Sequence, residues 1–181
     1  MTVSAIVAAD VVERERIRDC LARYCHAIDR RDADLLRSCY WPEAVDDHAT
    51  FVGTVDAFVT YAMESLAAMV LTQHNLGQIL IRLDGDTAVS QSLLTAYHRM
   101  DIGGEHRDIT LGGRYLDRWE KRDDEWRIIH RVLVADWMKD FGASADWSNG
   151  LAGAPFVSDH AVGKAEGDFS ETLFPRQNIR P

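Results

Sequence analysis

Positive charge is scarce in this sequence: 20 Lys and Arg stand against 29 Asp and Glu, a net charge of -9 over 181 residues. That balance excludes the basic footprint a nucleic acid requires, and it argues against an anionic membrane surface. No apolar run approaches the roughly 20 residues of a membrane span. The opening stretch MTVSAIVAADVVERER turns acidic early and has no basic n-region, so it reads poorly as a secretory signal. Cysteine is limited to Cys20, Cys25 and Cys39, an odd count with no CxxC spacing. They read as small core side chains of a reducing cytoplasm. A Gly-rich phosphate loop and a Ser-elbow motif are missing too, and DIGGEH fits a hairpin better than a nucleotide site. His48, beside Asp46 and Asp47, is the nearest approach to a metal cluster and has no second cluster to complete it. The expectation is a protein without metal or cofactor.

What remains is a globular composition, 46% hydrophobic and 27% charged, in a chain long enough for one domain with a real core. Ile17, Leu21, Cys25 and Ile28 recur at helical spacing, which predicts a helix over 11–29 with Asp10 as N-cap. RRDADLLRSCYW predicts a short helix capped at Asp32 and stopped by Pro42. AVDDHATF reads as a short strand, and Thr54 opens a third helix through VDAFVTYAMESLAAMVL. From about residue 73 the texture is strand-like, in four runs separated by DGD, DIGGE and RDDE turns. Helices followed by an antiparallel meander predict an α+β fold: three N-terminal helices on a strongly curved, mostly antiparallel sheet, a cone-shaped α+β barrel. The expected division is a domain over 1–140 and a tail over 141–181. The tail keeps Trp147, Phe156, Phe169 and Phe174 and is therefore expected to dock, as a pocket lid or an inter-subunit arm.

A cone whose inner face is partly polar encloses a pocket. Val89, Gln91, Leu93, Thr95 and Tyr97 share one strand face, and Trp126, Ile128, His130 and Val132 share another. Parity alone does not say which side is inside. Of the neighbours Tyr97 and His98 only one can line the pocket, and Tyr97 is the expected one.

Three helices and a meander ending GGRYLDRWEKRDDEWRIIHR resemble the nuclear-transport-factor-2-like, or SnoaL-like, superfamily over roughly residues 10–140. Within it the chain is most similar to the branch holding scytalone dehydratase, bile-acid 7α-dehydratase and hexachlorocyclohexane dehydrochlorinase. The resemblance implies a catalytic pair of Asp29, in AIDRRD, and His74, in LTQHNLGQ. It places Tyr24 five residues before the Asp, and Arg131 five residues after Trp126 on the last strand. Gly112 and Gly113 occupy the positions of a family Gly-Gly pair, with Tyr115 facing the pocket. Tyr97, Tyr115, Trp41 and Leu93 are expected to bind substrate.

The chemistry of these side chains fits such roles. An imidazole ordinarily titrates near pH 6.5 and takes a proton readily at neutral pH. A neighbouring carboxylate fixes its tautomer and stabilises the imidazolium. Tyr24 is suited to donating to a leaving oxygen, and Arg131 to holding an enolate or carboxylate. The resemblance thus implies a cofactor-independent lyase of the dehydratase type, acting on a hydrophobic cyclic substrate such as a steroid, polyketide or aromatic-pathway intermediate. An isomerase or cyclase on the same scaffold, and a non-catalytic binding protein or dioxygenase small-subunit-like module, are the alternatives. It also implies a homo-oligomer, a trimer before a dimer, through an outer sheet face carrying residues such as Leu94, Leu116 or Ile129.

Overall fold

The computed structural model describes residues 8–146, 148, 150–151, 153–158, 167–175 and 179. Helix α1 (Ala8–Arg30) and helix α2 (Ala33–Ser38) precede strands β1 (Tyr40–Asp47) and β2 (Val52–Thr54). Helix α3 (Val55–Ala67) leads into four long strands: β3 (Met69–Asp84), β4 (Thr87–Ile102), β5 (Glu105–Arg122) and β6 (Glu125–Ala143). One turn of 3-10 helix, Phe169–Thr172, lies in the C-terminal segment. The six strands form one sheet in the order β2-β1-β6-β5-β4-β3, antiparallel throughout except for β1 against β6. The sheet is curved and unclosed, and the helices pack on it, an α+β fold.

Ile17, Cys20, Leu21, Tyr24, Ala27 and Ile28 are buried along α1. Their three- and four-residue spacing makes the stripe that faces the sheet. Helix α1 is helical from the first described residue, so Asp10 lies in its first turn and does not cap it. Arg31 takes a left-handed conformation, φ 50°, which ends α1 and frees Asp32 to cap α2. The Asp32 carboxylate accepts the Leu35 N–H at 2.9 Å. Helix α2 stops at Ser38, so Pro42 is not its terminator but a residue within β1. Helix α3 starts after its expected cap, Thr54, and ends at Ala67, short of the expected Leu71. Met69 and Leu71 instead pair with Met100 and Arg99 of β4, as tertiary pairing overrides local helix preference.

Pairing settles the parity of the strands. Ala88, Ser90, Ser92, Leu94 and Ala96 of β4 are buried on the inner face, and Val89 and Leu93 are exposed on the outer one. Strand β6 does not alternate as expected. Its register against β5 shifts between Arg118 and Trp119, so that Trp119 pairs with Ile128 and Asp117 with Arg131. That bulge puts Ile128 and Arg131, not Ile128 and His130, on the buried face. A second shift falls between Gly112 and Gly113. There a Cβ on Gly113 would stand 2.5 Å from the Val134 carbonyl oxygen, so the strands approach too closely for a side chain.

Candidate active site

Helix α1 delivers Asp29 in its last turn to the start of β3, where the strand presents Thr72 and His74 on its inner face. Asp29 Oδ1 lies 2.8 Å from His74 Nδ1 and accepts the Thr72 hydroxyl at 3.1 Å, while Oδ2 accepts the His74 backbone N–H at 2.9 Å. Three donors thus fix the carboxylate, and the carboxylate fixes the ring. Burial raises the proton affinity of Asp29, but the hydrogen bonds from the His74 ring and backbone and from Thr72 outweigh it and hold the carboxyl below its ordinary range. An anionic acceptor at Nδ1 keeps the hydrogen there and leaves Nε2 with its lone pair. Nε2 has no hydrogen-bond partner among the described residues.

Asp29 and His74 line a broad depression of about 1950 Å³, bounded by the ends of α1 and α3, the start of β3 and residues 143–146 and 148. Met63, Leu66 and Met69 give it an apolar wall beside the pair. His98 stands behind, its ring centroid 5.6 Å from that of His74 and nearly perpendicular to it. Burial, helped by the charge of His74 and opposed by Asp29, pushes the pKa of His98 down to about 4. A neutral imidazole is therefore packed against His74 at neutral pH. Tyr97, the neighbour expected to line the pocket, does line the depression, and His98, on the inner face with Ser90, Ser92 and Ala96, packs behind His74 without lining it.

The remaining expected residues lie elsewhere. Tyr24 and Arg131 are fully buried and do not line the depression. The Arg131 guanidinium is 4.0 Å from the ring centroids of both Tyr24 and Tyr115, and it bonds Asp117 through Nε and Nη2 at 2.6 and 2.9 Å. Burial raises the Tyr24 phenol pKa far above its ordinary value despite Arg131, which makes it a weak acid. The Tyr24 and Tyr115 hydroxyls are near enough to affect each other's proton affinity, yet that of Tyr24 makes no hydrogen bond of normal geometry. Tyr115 is on the inner face as expected but sealed beneath this stack. Tyr97 lines the far side of the depression, where its hydroxyl donates to Asp108 at 2.7 Å, on the strand face opposite to His74.

Leu93 is exposed on the outer face, as strand alternation from buried Ser92 and Leu94 requires. Leu94 is therefore a core residue and not part of the outer apolar face. Trp41 is held between Arg122 and Arg127, 4.6 and 4.8 Å from its ring, and its indole N–H donates to the Glu120 carbonyl, away from the depression. In the C-terminal segment, Arg30 bonds Asp168 at 2.7 Å, tying the segment to α1 next to Asp29. Phe156, Phe169 and Phe174 keep much of their exposure, while Ile179 packs against the core, so an apolar contact as well as the Arg30–Asp168 pair attaches the described part of the tail. Trp147 lies outside the described residues.

Among the described residues no group of three or more His, Cys, Asp or Glu could hold a metal ion, and no helix is long and apolar enough to cross a membrane.

Comparison with known proteins places this geometry in context. The chain is 30% identical over 141 residues to uncharacterized protein Rv2910c of Mycobacterium tuberculosis, a match covering 75% of this chain and 94% of the relative. Mb2934c of Mycobacterium bovis matches equally. Among solved structures, a putative scytalone dehydratase from Novosphingobium aromaticivorans superposes with a TM-score of 0.68 at 23% identity, covering 77% of this chain and 95% of that one. A type 2 hexachlorocyclohexane dehydrochlorinase, LinA, superposes with a TM-score of 0.66 at 18% identity, covering 83% and 96%. At those identities the structures establish a shared fold. The family description "SnoaL-like domain" matches residues 9–132, and the chain belongs to the SnoaL-like family.

Proposed function

We propose that the protein is a cofactor-independent lyase of the dehydratase type, with His74 as general base and Asp29 as its orienting carboxylate, acting on a hydrophobic cyclic substrate. The observation that carries this reading is the 2.8 Å contact of Asp29 with His74 Nδ1 at the wall of an open depression, with Nε2 unpartnered. That arrangement takes a proton from a carbon beside a carbonyl. The same proton, on Nε2, is then available to the departing hydroxide. The C–H electrons form the new double bond, the C–O bond breaks, and water leaves. One imidazole serves as base and then acid, which suits a site in which Tyr24 is sealed off. The Tyr24 hydroxyl and Arg131 Nη1, buried without a partner outside the depression, are assigned no part in this step.

The test is a panel of cyclic β-hydroxy ketones, followed by the ultraviolet absorbance of the enone formed. Turnover abolished in His74→Ala supports the lyase. Migration of a double bond without loss of water identifies the isomerase, which uses the same base and returns the proton to carbon. Tight binding without turnover identifies a binding module.

Assembly is part of the proposal. The outer face exposes Leu80, Val89, Leu93 and Trp137, and a homo-oligomer, a trimer before a dimer, would cover it.

A further inference from the structure

The charged side chains that line the depression are almost all engaged. Asp29 is held by His74 and Thr72. Asp108 accepts from Tyr97, Arg99 and Ser144. Glu105 accepts from Arg107 at 2.9 Å, and Asp146 accepts the Ser148 backbone N–H at 2.8 Å. Of the arginines, Arg99 bonds Asp108 at 2.9 Å and Arg30 bonds Asp168 at 2.7 Å. Arg31 is different. Among the described residues lining the depression it is the one arginine whose side chain has no hydrogen bond, ion pair or ring contact, and it is exposed.

The backbone of Arg31 is fixed. Its N–H donates to the Ile28 carbonyl at 3.2 Å, and the next N–H, of Asp32, donates to the Ala27 carbonyl at 2.9 Å. At φ 50° it holds a left-handed conformation that glycine adopts freely and a residue with a Cβ adopts at a cost. For ending α1, arginine supplies nothing that glycine would not supply better. What sets it apart at this place is its side chain. Arg31 follows Asp29 by two residues, so their Cα atoms stand within about 7.6 Å. Met63 and Leu66 of α3, and Met69 at the start of β3, line the same depression. An apolar wall, an imidazole and a free guanidinium thus border one open space.

We propose that Arg31 selects a substrate that carries a carboxylate: the ring lies on Met63, Leu66 and Met69, and the guanidinium bonds the carboxylate through two parallel N–H groups. This rests on the proposed reading of the depression as the site of a hydrophobic cyclic substrate, and adds an acidic group to it. One guanidinium balances one negative charge. A phosphate monoester, close to doubly charged at neutral pH, would need a second free arginine or lysine, and none lines the depression among the described residues. The net charge of -9 opposes the contact little, because physiological salt screens charges beyond about 8 Å whereas Arg31 meets the carboxylate directly.

Fluorescence titration of the full chain at neutral pH with 2-naphthoate, 2-naphthamide and 2-naphthyl phosphate tests this, since the probes share one bicyclic ring and differ in charge. The wild type should bind 2-naphthoate about tenfold more tightly than 2-naphthamide, the effect of a hydrogen bond between charged groups. It should bind 2-naphthyl phosphate no more tightly than 2-naphthoate. Arg31→Gln keeps a polar side chain without the charge and should bring 2-naphthoate and 2-naphthamide together. Arg31→Gly should do the same while melting no lower than the wild type, because glycine relieves the left-handed backbone. Equal wild-type affinities for 2-naphthoate and 2-naphthamide, or a 2-naphthoate preference that survives in either variant, overturns Arg31 as the selector and leaves the proposed lyase standing on a neutral substrate. Tighter binding of the phosphate overturns the assignment to a carboxylate. Failure of the wild type to bind any of the probes overturns the depression as a site for apolar rings, and the selector with it.

Discussion

Arg131 and Asp117 face each other across β6 and β5 as a doubly bonded ion pair with no solvent exposure on either side chain, Nε to Oδ1 at 2.6 Å and Nη2 to Oδ2 at 2.9 Å. The planar guanidinium meets the carboxylate edge-on and offers its faces to Tyr24 and Tyr115. Such a pair is not a large net source of stability, because removing two charges from water offsets their attraction. Removing one member is another matter.

Asp117→Ala leaves the guanidinium buried without its counter-charge and is expected to destabilise the protein by about 3–5 kcal/mol. Urea denaturation measures it. Arg131→Lys should also be costly, since an ammonium group can neither bridge both oxygens nor stack between two rings. A loss below about 1 kcal/mol in Asp117→Ala, the range of exposed pairs, would show that the pair is not sealed as described.

His98 makes stability depend on pH in a defined direction. Burial and the nearby His74 push its pKa down to about 4 in the folded protein, against about 6.5 for an unfolded imidazole. Between these values the unfolded chain binds one proton more than the folded chain, so stability increases with pH across the window and falls on acidification. The contribution is present in full above about pH 6.5 and is lost by about pH 4, and with the ring partly exposed it is about 1–3 kcal/mol. Denaturation of the wild type and of His98→Gln at pH 7 and pH 4.5 isolates it. The variant should lose less on acidification; equal losses would assign the titration to another group.

The fold was legible because its evidence is redundant. Helical spacing from Ile17 to Ile28, the caps at Asp32 and Thr54, and four strand runs separated by hairpin turns all agree. The pairing of Asp29 with His74 came from family resemblance, since nothing local to either residue signals the other. The faces of the strands were not legible. Alternation marks two sides without naming them, and the bulge at Arg118 and Trp119 breaks alternation in β6. Leu93, expected to bind substrate, therefore stands on the outer face. The sealing of Tyr24 depends on Asp117 being available to draw Arg131 inward, a long-range fact that no motif around Tyr24 encodes.

The Asp29–His74 pair predicts graded losses of activity. His74→Ala removes the base and should abolish turnover while the melting transition stays cooperative. Asp29→Asn retains the size of the side chain but lets the amide donate to Nδ1, which favours the tautomer with hydrogen on Nε2. The rate should fall by roughly 10²–10⁴-fold. Steady-state kinetics on whichever ketone turns over provides the measurement. A wild-type rate in Asp29→Asn would mean that the carboxylate is structural only.

Gly113 tests the bulge that shapes the concave face. A Cβ at this position meets the Val134 carbonyl oxygen at 2.5 Å, and a backbone atom cannot swing aside as a side chain can. Gly113→Ala should therefore push β5 and β6 apart locally and cost about 1–3 kcal/mol, in the range of overpacked sites. At Gly112 the obstacle is the Trp137 ring, half-exposed on the outer face and able to turn away. Gly112→Ala should accordingly be the milder change. Paired denaturation curves decide the order, and a reversed order would contradict this account of the bulge.

The bond between Arg30 and Asp168 predicts what the C-terminal segment does for the site. Arg30 follows Asp29 in the chain and lines the same depression, and residues 144–146 and 148 line its other side. Both partners are mostly shielded, with side-chain exposures of 23% and 14%, so the contact is worth more than an open surface pair. Asp168→Ala should release the segment from the end of α1 without unfolding the domain. Limited chymotrypsin digestion should then cut faster after Phe169, while the main melting transition shifts little. Deleting residues 145–181 should go further and weaken binding of an apolar ligand, because the depression loses a wall and admits more water. A deletion that binds as tightly as the full chain, together with unchanged digestion of Asp168→Ala, would show that the segment neither docks through this bond nor covers the site.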